Sequence, residues 1–388
     1  MKLNDRWARH DRQWRNTADV VSLSSPGPLD AETLRYRVRG PFWDILEEKR
    51  ATLLVTREYE HLVVALSVLD GKPDISFVRL PHPSGLVYDR KQHRLYIAST
   101  RNPNQILEFR PTRGRLPRED TPPDDRGRRR LVPVAARYYP GSTYLHDLAL
   151  ISGKLHANAV GDNAVVRVDD AGTLERVFWP RSIDSPQGPR FGRNYLQLNS
   201  IAAGATLEDS FFTASSAVVS SRRPGQRHFP VDGRGVLFSG RTREPVASGL
   251  TRPHSARLYR SRTWLANSGY GALGIVRDER FEPVTRLSGW TRGLTFVKGT
   301  AFVGTSRVLP RFHRYAPGLD VDKSRCAVHA VDPRSGEVLA SLTWPAGNQI
   351  FALDWAPSSV ASGFPFTPRR NGASAFARSL FYAFQTGD

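Results

Sequence analysis

A chain of 388 residues that is 39% hydrophobic and holds eight Trp has enough apolar surface for substantial cores, which excludes disorder for its bulk. Its single cysteine, Cys326, excludes an internal disulfide and a multi-cysteine metal cluster, and fits a reducing, cytoplasmic setting. The formal charge of +19 invites a polyanion reading, but only seven of the 56 basic residues are Lys, and no helix-turn-helix, RNA-recognition or zinc-finger pattern accompanies the scattered arginines. We therefore read the charge as attraction for a small anionic substrate rather than for nucleic acid.

Residues 1–40 are polar, and Ser24-Ser25-Pro26-Gly27-Pro28 breaks any regular element, so an irregular arm is expected. They contain no secretory signal, and no apolar run in the chain reaches the roughly 18 to 20 residues that span a bilayer; neither export nor membrane insertion is expected. Residues 42–49 read as a short helix with Phe42, Trp43, Ile45 and Leu46 on one side, placed to pack on the body of the protein or lid its end. From Ala51 the pattern becomes β, with strands at 52–56, 61–66 and 75–78 separated by turn residues such as Asp70-Gly71-Lys72.

A short phrase then recurs: a polar residue, a small residue, an aliphatic residue and a strand. It stands at Ser84-Gly85-Leu86, His146-Asp147-Leu148, Asn199-Ser200-Ile201, His254-Ser255-Ala256 and Arg292-Gly293-Leu294, with a degenerate copy at Phe351-Ala352-Leu353. A repeat every roughly 40 to 60 residues, each followed by an apolar strand pair, predicts an all-β, six-bladed propeller over residues 41–366. Residues 349–355 supply one inner strand and residues 52–78 three strands without one, so the N- and C-terminal segments share a blade, a closure that removes open sheet edges. Two insertions interrupt the repeat. Residues 110–138, acidic at 119–125 and basic at 126–130, are expected to be a lid or disordered, and residues 218–234 form a shorter loop. The tail 367–388 carries no assignable pattern.

The first residue of each phrase should face one shared channel, giving Ser84, His146, Asn199, His254, Arg292 and Phe351. Groups converging from several rigid strands make a preorganised site. His146, Asn199 and His254 are candidate ligands for a divalent ion such as Zn, Mn or Fe. Without a metal, His146 and His254 could transfer protons while Arg292 anchors an anion or stabilises an oxyanion. Antiparallel pairing should bring Asn158 near His146 and Asn267 near His254, and with Thr305 these would add hydrogen-bonding groups. A competing reading gives such histidines only the task of satisfying backbone groups between blades. Asp147 should point away from His146 and pair with a backbone group of the next blade. His156 and Cys326 read as structural. No nucleophile elbow, phosphate loop or dinucleotide fingerprint is present.

The stretches 145–149, 198–202, 252–255, 290–294 and 303–307 resemble a bacterial family of hypothetical proteins, carried as a domain of unknown function and expected to be six-bladed propellers. Many members have His where this chain has Gln197, which the resemblance makes a further ligand-binding position. A more distant likeness, to the gluconolactonase and regucalcin type of propeller, rests on the polar-Gly phrases; Asn199 alone keeps a ligand type of that group. Two functions follow as expectations: an enzyme, a metal-dependent hydrolase, lyase or isomerase of a small anionic metabolite, or a non-catalytic propeller that binds a protein or peptide.

Overall fold

A computed structural model describes residues 29, 31–100, 104–115, 129–368 and 384–386. Six antiparallel sheets surround one axis, each inner strand packing on the inner strands of its two neighbours, and the molecule is a six-bladed β-propeller. From inside outwards, blade one is Pro83–Asp89, Arg94–Ser99, Asn104–Arg115 and Leu131–Tyr139; blade two is Leu145–Ile151, Lys154–Ala159, Ala164–Val168 and Leu174–Phe178. Blade three is Leu198–Ala202, Phe211–Ala214, Gly235–Ser239 and Pro245–Leu250, and blade four is Pro253–Tyr259, Arg262–Asn267, Ala272–Arg277 and Arg280–Arg286. Blade five is Trp290–Val297, Thr300–Ser306, Ala327–Val331 and Val338–Thr343. Blade six takes its inner strand, Leu353–Pro357, from the C-terminal side and the remaining three, Ala51–Arg57, Leu62–Leu69 and Lys72–Arg79, from the N-terminal side. Their register runs from Ala51 opposite Pro357 to Val55 opposite Leu353, so the ring is closed by the two ends of the chain.

The strands read as continuous apolar runs because both faces of each blade are buried. In Leu62–Leu69, Leu62, Val64 and Leu66 join the core with blade five, whereas Val63 and Ala65 join the core with blade one. Period-two alternation therefore divides one run between two cores. The helix Phe42–Lys49 buries Phe42, Ile45 and Leu46 over the seam of blades five and six and stops at Arg50, whose φ of 49° is left-handed. It packs on the body and covers no channel end.

Three features depart from the sequence pattern. Within the arm, Arg37–Arg39 pairs with Val338–Thr343 and covers the outer edge of blade five; the Ser24 to Pro28 break lies outside the described residues. Within the insertion 110–138 the described residues extend the blade-one hairpin, Asn104–Arg115 pairing with Leu131–Tyr139 and Phe384–Thr386 adding beside it. Strand pairing persists there because Phe109, Leu131 and Val132 continue the core; the acidic stretch 119–125 lies outside the described residues. The described residues of the insertion stand at the far end, since inner strands start at the channel mouth and the connection from third to outer strand lies opposite it. A segment without strand pattern covers the mouth: residues 307–326, with a helical turn at Pro310–Tyr315, meet the 215–234 loop where Tyr315 and Ala316 pack with Phe229, Val231 and Trp290. Among the described residues no helix is long and apolar enough to cross a membrane.

Candidate functional site at the channel mouth

In five blades the phrase is a β-bulge. Pro83 faces Ser99 and Leu86 faces Ile97, so Ser84 and Gly85 oppose a single residue. The same extra residue occurs at His146-Asp147, at Asn199, at Ser255-Ala256 and at Arg292-Gly293. A bulge locally twists the strand and re-aims its side chains, which turns the first residue toward the mouth and the second toward the next blade. The second residue is small because that blade is close: a Cβ on Gly85 would stand 2.5 Å from Asp147 Cα. Where a side chain is present it accepts a backbone N–H across the seam, Asp147 Oδ2 from Ile201 at 3.0 Å, Ser200 Oγ from Ala256 at 2.8 Å and Ser255 Oγ from Gly293 at 2.7 Å. Asp147 thus turns from His146 to the next blade, as the alternation predicts.

The first residues form a closed ring of inter-blade bonds. Ser84 Oγ donates to Leu145 O at 3.3 Å, His146 Nδ1 to Asn199 O at 2.8 Å, and Asn199 Nδ2 to Pro253 O at 2.9 Å. His254 Nε2 accepts from Arg292 Nη2 at 3.0 Å. The Gln349 amide, its oxygen toward Arg292, accepts from Nη1 of that guanidinium and donates to Glu58 Oε2 at 3.1 Å and the Tyr59 hydroxyl at 3.3 Å. Thr56 Oγ1 closes the circle by donating to Ser84 O at 2.7 Å. On the axis the His146 and His254 rings lie 5.0 Å apart, and Phe351 packs 4.6 and 5.3 Å from them.

A second ring stands two residues earlier in each blade: His82, Tyr144, Gln197, Arg252, Trp290 and Gln349. In the first four φ is 43°, 49°, 54° and 54°, a left-handed backbone that costs a non-glycine residue about 1 kcal/mol. Glycine would relieve that strain, so side chains are kept there against a conformational penalty. Arg252 lies over the Tyr315 ring at 4.7 Å and uses Nη1 on two neutral acceptors, Gln197 Oε1 at 2.6 Å and Ser215 Oγ at 3.1 Å. Arg292 is flanked by the Phe351 ring at 4.2 Å and the Trp290 ring at 5.1 Å, and its Nε is buried without a hydrogen-bond partner. Among the described residues neither guanidinium touches a carboxylate. Burial lowers the pKa of both, Arg252 to about 10. Burial, followed by the Arg292 charge, holds His254 well below the usual histidine range.

The structure brings His146, Asn199, His254, Arg292 and Gln197 together at the mouth. Each of the three residues expected to hold a metal already serves the ring. His254 presents Nε2 to a guanidinium, Asn199 donates its amide to Pro253 O and Ser215 Oγ, and His146 spends Nδ1 on a carbonyl. His254 would ligate a cation only after Arg292 leaves it, and the described residues hold no group of three or more His, Cys, Asp or Glu suited to a metal. Asn267 stays beside the phrase, opposite Pro253, but its Oδ1 accepts Thr251 N–H at 2.7 Å. Asn158 lies in the second strand opposite the His146 bulge, fully buried, its amide atoms without hydrogen-bond partners. Thr305, opposite Thr291 in the second strand of blade five, spends its hydroxyl on His329 Nε2 at 3.1 Å and on Ala327 O, and joins no bond of the ring. His156 bonds Lys154 O, and Cys326 is buried with its thiol pushed up to about 12; both are structural. The pattern missed Glu58, Tyr59, Tyr144, Arg252 and Gln349. A fixed offset of two residues before each phrase would have found the last three.

The profile of a family described as a domain of unknown function, DUF4915, matches residues 40–363. The chain is a member of this family. None of the curated proteins matches it. Among solved structures, a chain from "Crystal structure of Nidogen/Laminin Complex" is similar over 79% of this chain and 98% of that one, at 9% identity and a TM-score of 0.52, a likeness of fold alone. A functionally unknown protein from Desulfotomaculum acetoxidans DSM 771 covers 74% of this chain and 77% of its own, at 10% identity and a TM-score of 0.40.

Proposed function

We propose that this DUF4915 propeller binds a small anionic metabolite at the channel mouth and acts on it by proton transfer. The supporting observation is the pair of guanidinium groups, Arg292 buried and Arg252 half-buried, with no carboxylate among the described residues in contact with either. A buried charge is costly unless paired; Glu58 acts on Arg292 only from beyond Gln349, and a bound carboxylate or phosphate would add a contacting charge to both guanidinium groups. Arg252 stands in the outer ring and Arg292 in the inner, so the anion would be held from two levels. Gln197 and Gln349 orient the two guanidinium groups through their side-chain oxygens.

His146 is the residue suited to move a proton. Its Nδ1–H is committed to the Asn199 carbonyl, which makes Nε2 the basic nitrogen of the neutral ring. His254 is less suited, since burial and then the Arg292 charge hold it well below the usual histidine range, and its Nε2 already accepts from that guanidinium. Hydrolysis, elimination and isomerisation are the reaction classes that a base beside two anion anchors serves. The single, buried Cys326 fits a cytoplasmic setting.

The test is a thermal-shift titration with inorganic phosphate, malonate and citrate. At least one should stabilise the wild-type protein saturably, and Arg252→Gln and Arg292→Gln should each abolish the effect. Equal stabilisation of wild type and both variants would overturn the assignment.

A further inference from the structure

The six inner strands diverge at the end of the channel opposite the mouth and enclose a cavity of about 370 Å³ lined by residues from all six blades. It does not communicate with the arginine site along the axis, because His146, His254 and Phe351 pack ring against ring between them and are each no more than 5% exposed. The two ends also differ in electrostatics. In the wall of the far-end cavity the charged residues are matched: Arg257 Nη1 and Nη2 meet Asp147 at 2.9 and 3.3 Å, and Arg90 Nη2 meets Asp354 at 2.5 Å. Asp354 accepts in addition from Tyr88 N–H, Trp355 N–H and Thr295 Oγ1, and Arg257 donates in addition to the Ile201 and Ala256 carbonyls.

An ionic ligand seated within the cavity would find no unpaired counter-charge in its wall and would have to break one of these pairs. Apolar surface and rings are on offer instead. Leu148, Leu150, Ile201 and Leu258 line the wall, the Tyr259 and Phe296 rings stack 4.0 Å apart at an interplanar angle of 4°, and Trp355, capped by Arg90 at 4.5 Å, faces the cavity from blade six. Tyr259, Phe296 and Trp355 are only partly buried, unlike the rings that fill the inter-blade cores. A cavity of this size, with apolar walls and rings beside an about equal share of fixed polar surface, can take a small molecule, and flat rings pack favourably on partly exposed aromatic faces.

We propose that the far end of the channel is a second ligand site, specific for an uncharged, flat-ringed small molecule and independent of the anion site at the mouth. Indole is the probe, with indole-3-acetate as its charged counterpart, and binding is followed by ligand-observed NMR. Indole should bind saturably in the millimolar range or tighter, and at least tenfold more tightly than indole-3-acetate. Ala203→Trp and Leu258→Trp, each filling the cavity from a partly exposed position, should abolish indole binding, whereas Arg292→Gln should leave it unchanged. Unfolding curves for both filled variants identify any that fails to fold, and the conclusion is drawn from the one that folds. Absence of saturable indole binding, preference for indole-3-acetate, or binding that survives a folded filled variant would each overturn the proposal. Loss of anion binding at the mouth alone would leave it standing.

Discussion

Asp147→Asn tests the seam contacts that hold the ring together. Among the phrases only this one carries a charge at its second position, and that carboxylate, 2% exposed, takes four bonds: Leu148 N–H and Arg257 Nη2 at Oδ1, Ile201 N–H and Arg257 Nη1 at Oδ2. An asparagine keeps one oxygen, so whichever way the amide turns, its NH₂ faces one backbone N–H and one guanidinium N–H. Two donors lose their acceptor and Arg257 loses its counter-ion. Breaking a buried pair costs about 3 to 5 kcal/mol. Arg257 retains two carbonyl acceptors and a side chain one-fifth exposed, which places this case near the lower limit, about 3 kcal/mol. For a protein of this size that is a fall of about 4 °C in Tm. Urea unfolding of wild type, Asp147→Asn, Arg257→Met and the double variant measures it, the double variant being less destabilised than the sum of the singles. A single-variant loss below about 0.5 kcal/mol, or strict additivity, would refute the reasoning.

Stability should also decline as pH falls from about 7 to 5. Burial holds His329 at about 4, so the unfolded chain takes up its proton near pH 6.5 while the folded chain does not, and stability present above that pH is lost on acidification. The His329 share is about 2 kcal/mol by pH 5, with His254 acting in the same direction; calorimetry on His329→Asn should show a flatter pH profile, and an unchanged slope would count against it. Gly85→Ala forces a methyl against the Asp147 backbone and should lower stability by about 1 to 3 kcal/mol, measured by chemical denaturation. Metal analysis of purified protein should find less than one equivalent of Zn, Mn or Fe. A stoichiometric ion lost in both His146→Ala and His254→Ala would return those histidines to ligand duty.

The fold was legible in the sequence because blade cores impose a strict pattern. Runs such as 62–66 must alternate between two buried faces, and the Gly85, Ser200 and Gly293 positions must stay small where neighbouring inner strands nearly touch. The shared blade followed from the same rule, since residues 52–78 lacked an inner strand that residues 349–355 could supply. The site was legible only as a set of positions. That His146, Asn199, His254 and Arg292 converge follows from the repeat, but the partner each one chooses is fixed by inter-blade geometry that no local pattern encodes. Tertiary structure alone set Arg292 against the one nitrogen that would make His254 a ligand or base, and engaged the Thr305 hydroxyl with His329. It also made Arg252 and Gln349, to which the repeat gave no role, members of a second ring. Strand periodicity is a local property of the chain, whereas hydrogen-bond pairing across the ring joins residues such as Glu58 and Gln349, almost 300 positions apart, and is settled only when the ring closes.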